Sequence, residues 1–392
     1  MPPLASPCIL TLNSGSSSLK FAVYEFAESE RRVTSGAVDR IAAPRPASAA
    51  GVDDAAAERA RAAEHDDAIE RVIRHVEEQS LFARIVAVGH RLVHGGARYR
   101  APVRVTPAVL DTLRELRGLA PEHLPQQLLA VAAVSRRAPA LPQVACFDTA
   151  FHAGMPRVAQ WYGLPRQLSE SGVVRYGFHG LSYEYVAGEL RRLGALGRRT
   201  VVAHLGNGAS MCALLDGESV DTSMGLTPIG GLLMSSRSGD LDPGVLLYLM
   251  RERGMSVAEA NAAVAAGGGL LGVSETSSDM RDLLAREATD ARAADAIAMF
   301  CYQARKTVGA YAAALGGLDT LVFTGGIGEH AAPIRTRICE GLEHLGVHVE
   351  PARNERHAEV ISPAGSAAAV RVMATQEELT IARHVRRLLA AA

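Results

Sequence analysis

The stretch Ile9–Tyr24 opens as a continuous apolar run, Ile9–Leu12, and breaks at Asn13-Ser14-Gly15-Ser16-Ser17-Ser18. It resumes with Leu19, Phe21 and Val23 alternating with Lys20, Ala22 and Tyr24. An apolar run, a cluster of turn residues and then period-two alternation predict a strand–turn–strand hairpin. The pattern returns at Val201-Val202-Ala203-His204-Leu205-Gly206-Asn207-Gly208-Ala209-Ser210 and continues as an apolar run to Leu215, with Gly15 and Gly208 at matching places. Two copies this far apart predict a duplicated domain rather than a stack of short repeats. The first domain continues with a third strand over Arg32–Asp39, an Ala/Pro/Gly-rich surface stretch over Ala42–Ala57, and a helix over Asp66–Gln79 whose stripe is Ala68, Ile69, Val72, Ile73 and Val76. A buried strand follows at Ile85–Val88, running into Gly89–Gly96. Helices are predicted over Pro107–Arg117 and Gln126–Ser135, with a strand over Gln143–Phe147 leading to Asp148. Beyond it come a helix at Ser182–Leu193, helices at Val245–Arg253 and Val257–Ala265, and a long Ala-rich helix at Asp290–Leu315. The strand Thr320–Phe323 then runs into a Gly-rich turn, Thr324–Glu329, that enters a helix. Strands alternating with helices place the chain in the α/β class.

Chemistry enters at the breaks in this pattern. A tight turn built of small polar residues exposes backbone N–H groups and hydroxyls, here including Ser16 and Ser18, in a bend that suits phosphate oxygens. The same letters also suit an ordinary Ser-rich hairpin. What separates the two is Lys20: only two of the 41 basic residues are lysines, so one beside this turn is improbable by composition. A buried strand running into Gly-flanked His90, Arg91 and His94 is where α/β proteins place ligand contacts. Asp148, just past another buried strand, suits a ligand position and a helix N-cap equally. His179 lies between two glycines, which suits reaching a ligand better than packing. The segment Ser235–Gly244 is dense in Gly, Ser, Asp and Arg, and Thr324–Glu329 offers a helix N-terminus to an anion.

At 392 residues the chain can bury two substantial cores, and 48% hydrophobic and 21% charged residues are globular values. A net charge of −1 argues against nucleic acid as a partner. Five scattered cysteines without a CxxC pair read as free thiols in a reducing compartment, with Cys146 and Cys212 buried. No run of about 18 apolar residues is present, and the start of the chain lacks the basic region of a signal peptide. A cytoplasmic enzyme without membrane attachment is expected.

The motifs NSGSSSLKF, GHRLVHGG, FDTAFH, RYGFHG, HLGNGAS, DTSMGLTPIGG, SRSGDLDPG, FTGGIGE and TQEEL stand in order along nearly the whole chain. Together they resemble the acetate kinase family (acetate and propionate kinases) of the actin-like, sugar-kinase and chaperone ATPase superfamily. The resemblance implies two duplicated ribonuclease-H-like domains, 1–148 with 378–392 and 149–377, and an active site in the cleft between them. It also implies Mg²⁺, with Mn²⁺ as the alternative, ATP and ADP as nucleotides, and a homodimer. It gives Asn13 and Glu377 as the metal environment. Lys20, His204, Leu205, Gly206, Asn207, Gly208, Asp279, Met280, Arg281, Gly326, Ile327, Gly328, Glu329 and His330 become nucleotide contacts. Arg91, His123, Asp148, His179 and Arg237 match the catalytic set, and Arg91, Val93, Glu122, Phe178 and Pro228 the acyl-substrate site.

The implied reaction moves the γ-phosphoryl group of ATP to a short carboxylate, reversibly. A carboxylic acid with a pKa of about 4 is already ionised at neutral pH, so the nucleophile needs no general base. The obstacle is repulsion between two anions, which explains two arginines and a donor histidine. Asp148 then reads as an orienter of an arginine or of the metal and substrate. The chain departs from the family pattern at Glu122 and Leu124, at Leu181 and Tyr183 in His179-Gly180-Leu181-Ser182-Tyr183, at Ser235-Ser236, and at His330. The first departure falls at the expected acyl end and leaves propionate or a hydroxylated short acid as the alternative to acetate. The superfamily also holds sugar kinases, whose hydroxyl substrates need a base, and non-catalytic nucleotide switches, for which an Arg–His set would be purposeless.

Overall fold

Strand β1 (Cys8–Ser14) is buried at every position because it is flanked by strands on both sides and covered on both faces. It pairs antiparallel with β2 (Ser18–Phe26), which pairs antiparallel with β3 (Glu30–Asp39). On its other side β1 runs parallel to β4 (Ile85–Leu92), and β4 runs parallel to β6 (Gln143–Phe147), whose edge is closed by the short β5 (Val103–Arg104). The order is β3-β2-β1-β4-β6-β5. The chain is described here from a computed structural model over residues 6–14, 18–27, 29–39 and 54–391. It divides into two compact units, Met1–Phe151 with Gln376–Ala392, and His152–Thr375. Gly15, Ser16 and Ser17 lie outside the described residues, as does 40–53, which takes in most of the stretch expected at the surface.

The predicted hairpin is present, but the alternation in β2 holds only at Lys20: Ala22 and Tyr24 are buried along with Leu19, Phe21 and Val23. The reason is the C-terminal helix Glu377–Ala390, which packs on β1, β2 and β4 and covers the face a single amphipathic layer would leave wet. Helix Asp54–Glu78 covers the opposite face through Ala68, Ile69, Val72, Ile73 and Val76, the stripe read from the sequence. It starts well before Asp66 because its first turns are Ala-, Glu- and Arg-rich, good helix formers that carry no apolar stripe to detect. A second correction concerns Gly89, His90, Arg91 and Leu92. They belong to β4 itself, since pairing with β1 and β6 carries the strand past the last apolar run. Gly89 is required there: a Cβ would lie 2.5 Å from Ile381 Cγ2 and 2.7 Å from Val385 Cγ2, so its absence lets the C-terminal helix close on the strand.

The second unit repeats the arrangement. Strands β7 (Arg199–Leu205), β8 (Ala209–Leu215) and β9 (Glu218–Thr222) form an antiparallel meander; β10 (Thr320–Thr324) runs parallel to β7, and β11 (Ala369–Val372) parallel to β10. The order β11-β10-β7-β8-β9 matches β6-β4-β1-β2-β3 in sequence and in sense, so the two hairpins belong to duplicated ribonuclease-H-like sheets. Helices Gly180–Arg192 and Ala291–Leu315 pack on this sheet. Strand Gln143–Phe147 and helix Val257–Ala265 have the predicted bounds, whereas β9, with Glu218 and Asp221 breaking its apolar run, and the four-residue β11 do not stand out by pattern. The turn expected at Thr324–Glu329 is instead the helix Gly325–His330, entered directly from β10. All five cysteines are buried, and no helix among the described residues is long and apolar enough to cross a membrane.

Candidate active site

In the first unit the carboxyl ends of β1, β4 and β6 carry Asn13, Arg91 and, one residue on, Asp148. Open α/β sheets expose their ligand crevice at this end. Arg91 presents a fork to Asp148: Nε donates to Oδ1 at 3.0 Å and Nη2 to Oδ2 at 2.6 Å. Its Nη1 donates to Asn13 Oδ1 at 3.1 Å and lies 3.8 Å from Glu377 Oε2. Asn13 Nδ2 in turn donates to Glu377 Oε2 at 3.2 Å and to Glu378 Oε1 at 3.4 Å. The glycine at position 89 is what brings Glu377 and Glu378, at the start of the C-terminal helix, down to this level. Asp148 is 1% exposed, so its charge depends on the arginine. Burial disfavours the Arg91 cation, but Asp148, Glu377 and Glu378 more than offset it, and Arg91 holds its proton more tightly than in water. Both Asp148 oxygens accept from Arg91, and among the described residues no group of three acidic, His or Cys side chains that could hold a metal is present.

Around this cluster, buried Gln127 accepts from Val93 N at 2.9 Å and donates to Ser14 O at 3.2 Å, tying the ends of β1 and β4. His123 stands at the N-cap position of the helix Leu124–Arg137, with no capping bond from its side chain. Glu122, beside it, is half-buried and makes no ion pair or hydrogen bond among the described residues. Lys20 is exposed and stands opposite Asn13 across the hairpin, and Ser18 opens β2. Ser16 lies outside the described residues.

In the second unit three loops meet at Gly208. A Cβ there would lie 2.9 Å from Arg237 Nη2 and 3.2 Å from His179 Nε2, so the glycine of HLGNGAS is where the arginine of SRSG and the histidine of GFHG converge. Arg237 Nη1 donates to Pro228 O at 2.5 Å, and Ser235 N to Asn207 O at 3.2 Å. His179 sits in the left-handed region at φ 58°, a conformation that a non-glycine residue holds only when its surroundings over-determine it. Those surroundings are explicit. Its Nδ1 lies 2.8 Å from Ser210 Oγ, its ring stacks on His204 at 4.2 Å, and His204 Nδ1 lies 2.9 Å from Ser182 Oγ. The preceding carbonyl, Phe178 O, accepts from His152 Nε2 at 3.0 Å. Gly177 has φ 75°, and a Cβ there would lie 2.7 Å from the His152 ring. Burial holds His152 neutral, pushing its imidazole down to about 4.

Toward the expected nucleotide segments, Gly206 approaches both His204 Nε2 and Gly326 N at 4.0 Å from its Cβ position. Gly325 must be glycine, with φ 77° and a Cβ position 2.8 Å from Leu205 O. Gly326 has open space around it. Glu329 turns back to accept from Gly325 N at 3.0 Å, and His330 is exposed. Leu205 and Met280 have buried side chains and Gly328 packs on Phe323, so only their backbone is left to meet a ligand. Asp279 caps the helix Met280–Arg286 and holds the exposed Arg281 at 2.6 Å. Phe178 and Val93 are buried, Pro228 and Ile327 half-buried.

Sequence reasoning missed the supports: Gln127, His152, Ser210 and Arg335. Arg335 is fully buried and donates to Gly328 O at 2.8 Å and Glu329 O at 3.0 Å, holding the far end of the helix Gly325–His330. Two of them stand inside quoted motifs, His152 in FDTAFH and Ser210 in HLGNGAS, whereas Gln127 and Arg335 look like ordinary helix residues.

The Acetokinase family matches the chain over residues 8–383. Acetate kinase from Rhodopseudomonas palustris is 47% identical over 395 residues, covering 98% of each chain. Among solved structures, the acetate kinase of Porphyromonas gingivalis superposes with a TM-score of 0.85 at 37% identity, over 98% of this chain and 100% of its own. A propionate kinase from Francisella tularensis does so with 0.83 at 34% identity, over 96% of this chain and 98% of its own. With the motifs in order, the duplicated sheets and this full-length match, the chain belongs to the Acetokinase family.

Proposed function

We propose that the protein transfers the γ-phosphoryl group of ATP to acetate, giving acetyl phosphate and ADP, and runs the reverse reaction. The observation that carries the reading is the Arg91–Asp148 fork at the carboxyl ends of parallel strands. An ionised carboxylate needs no base to attack, and both Asp148 oxygens are already engaged by Arg91, so Asp148 orients the arginine. Arg91 and Arg237 offer planar donors for carboxylate and phosphoryl oxygens, and His179 donates to an equatorial oxygen of the group in flight. The nucleotide is held at the turn His204–Gly208 and at Gly325–Gly326, where backbone can approach closely; Asp279–Arg281 and His330 frame it, and His123 and Lys20 complete the set. A Mg²⁺ ion keeps several waters and takes one or two protein oxygens beside phosphate, a demand that the Glu377 carboxylate and Asn13 Oδ1 fit. When bound, it neutralises phosphate charge.

A second reading, propionate or a hydroxylated short acid, is favoured by Glu122, a half-buried carboxylate at a position where this chain departs from the family pattern, and by the likeness to a propionate kinase. We further propose a cytoplasmic homodimer. The helix Pro243–Glu252 buries none of its residues and exposes Leu247 and Tyr248, and exposed Val257 opens the helix packed beside it, apolar side chains that a second copy would cover. Trapping acyl phosphate as the hydroxamate with ATP and Mg²⁺ tests the function across acetate, propionate, butyrate and lactate. Product from none of the four would reject the reading, and a clear preference for propionate or lactate would select the second.

A further inference from the structure

Two buried hydroxyls stand in line behind the reactive face of His179: Tyr183 Oη contacts Ser210 Oγ, and Ser210 Oγ lies 2.8 Å from His179 Nδ1. Tyr183 and Ser210 are 0% exposed and His179 is 9% exposed. His179 stands at the N-cap position of the helix Gly180–Arg192 and Tyr183 lies in its first turn, and both reach the one hydroxyl of Ser210. The ring of His152 packs edge-on against Tyr183 at 5.6 Å and keeps it in place.

Ser210 has a single proton for two neighbours, so only two arrangements satisfy the chain. In one, Tyr183 donates to Ser210 and Ser210 donates to Nδ1. In the other, Nδ1–H donates to Ser210 and Ser210 donates to Tyr183. A phenol, with a pKa of about 10, is a far stronger acid than an aliphatic hydroxyl and is the better donor of the pair. The first arrangement makes Nδ1 an acceptor and leaves the ring proton on Nε2.

We propose that Tyr183 and Ser210 set the tautomer of His179, so that it meets its ligand as a neutral donor through Nε2–H. The charged and titratable groups around the ring agree. Arg237 Nη2 and His179 Nε2 bound the same Cβ position at Gly208, and His204 stacks on the ring at 4.2 Å. A second positive charge beside Arg237 would be repelled, whereas a neutral N–H adds a donor without that repulsion. Burial pushes the Tyr183 hydroxyl well above its ordinary value, so the relay keeps its proton throughout the working range. Tyr183 is one of the positions noted above at which this chain departs from the family pattern. The inference deepens the proposed function, since it presumes that His179 faces the phosphoryl group.

The test is the ¹⁵N spectrum of the full chain labelled at its histidine rings, with His179 assigned by loss of its signals in His179→Gln. At neutral pH the parent should show protonated Nε2 and bare Nδ1. Tyr183→Phe should mix the tautomers and lower kcat roughly fivefold to tenfold, the scale of one net hydrogen bond, with little change in KM. Ser210→Ala should do at least as much. Finding Nδ1–H, or a doubly protonated ring, in the parent would overturn the proposal without any variant having to fold. So would a Tyr183→Phe protein with the parent's tautomer and kcat. A parent with the Nε2–H tautomer that makes no acyl phosphate would reject the function and leave the relay standing.

Discussion

The two units carry the same five-strand order but equip the strand ends with opposite chemistry. At the ends of β1 and β4 stand charged and amide side chains, Asn13 and Arg91, locked with Asp148 and Glu377 into an ion network. At the equivalent ends of β7 and β10 stand His204–Gly208 and Gly325–Gly326, where side chains are removed and backbone comes forward. Glycine moves accordingly. In β4 it sits mid-strand at Gly89 to admit a helix, whereas after β10 it sits at the tip, where Gly326 has open space. The duplicated frame sets where ligand groups can be offered. Local sequence decides whether they are side-chain charges or backbone N–H groups.

The largest test of this contrast is Arg91→Ala. It should lower kcat by roughly 10²–10⁴, as for loss of a strong preorganised donor. Because Asp148 is buried against Arg91, the change should also destabilise the fold by about 3–5 kcal/mol. Adding Asp148→Asn should recover much of the stability but none of the activity, measured by urea melts and hydroxamate rate. A double variant as unstable as Arg91→Ala would refute the pairing account. Arg237→Ala, in the glycine-lined unit, should lower kcat by about 10²–10³ with a smaller loss of stability, since Pro228 O, one of its acceptors, carries no charge. Equal destabilisation by the two substitutions would erase the contrast.

Acid should then act on both units alike. Burial holds His90 and His152 down to about 4 from an ordinary value near 6.5. The unfolded chain takes up these protons first, so stability is complete above pH 6.5 and falls as pH drops toward 4, by up to about 3 kcal/mol per histidine. His90→Gln should flatten that fall in melts run across the range; an unchanged slope would show that His90 is not the group responsible. The smallest effect belongs to Glu122. If it borders the acyl group, Glu122→Leu should shift the ratio of kcat/KM between acetate and propionate or lactate by roughly tenfold, the worth of about one methyl contact. Ratios that do not move would place Glu122 outside the pocket and favour plain acetate.

Much of the frame was legible because burial writes itself into sequence. Ile9–Leu12, Val201–Ala203 and Thr320–Phe323 are apolar runs because their strands are covered on both faces, and the repeated hairpin betrayed the duplication. Arg91, Asp148, His179 and Arg237 were legible as candidates because charged and Gly-flanked groups rarely interrupt such runs. Their motif order carried the family. What no local pattern contains is partnership across the chain. That Asp148 receives the fork of Arg91, that Glu377 reaches Asn13 across 364 residues, and that Ser210 lies between His179 and Tyr183 follow from strands and helices meeting in space. Hydrophobic periodicity reports which face of an element is dry. Hydrogen bonds between distant residues depend on register, crossing and close approach, and those are decided only when the sheets are assembled.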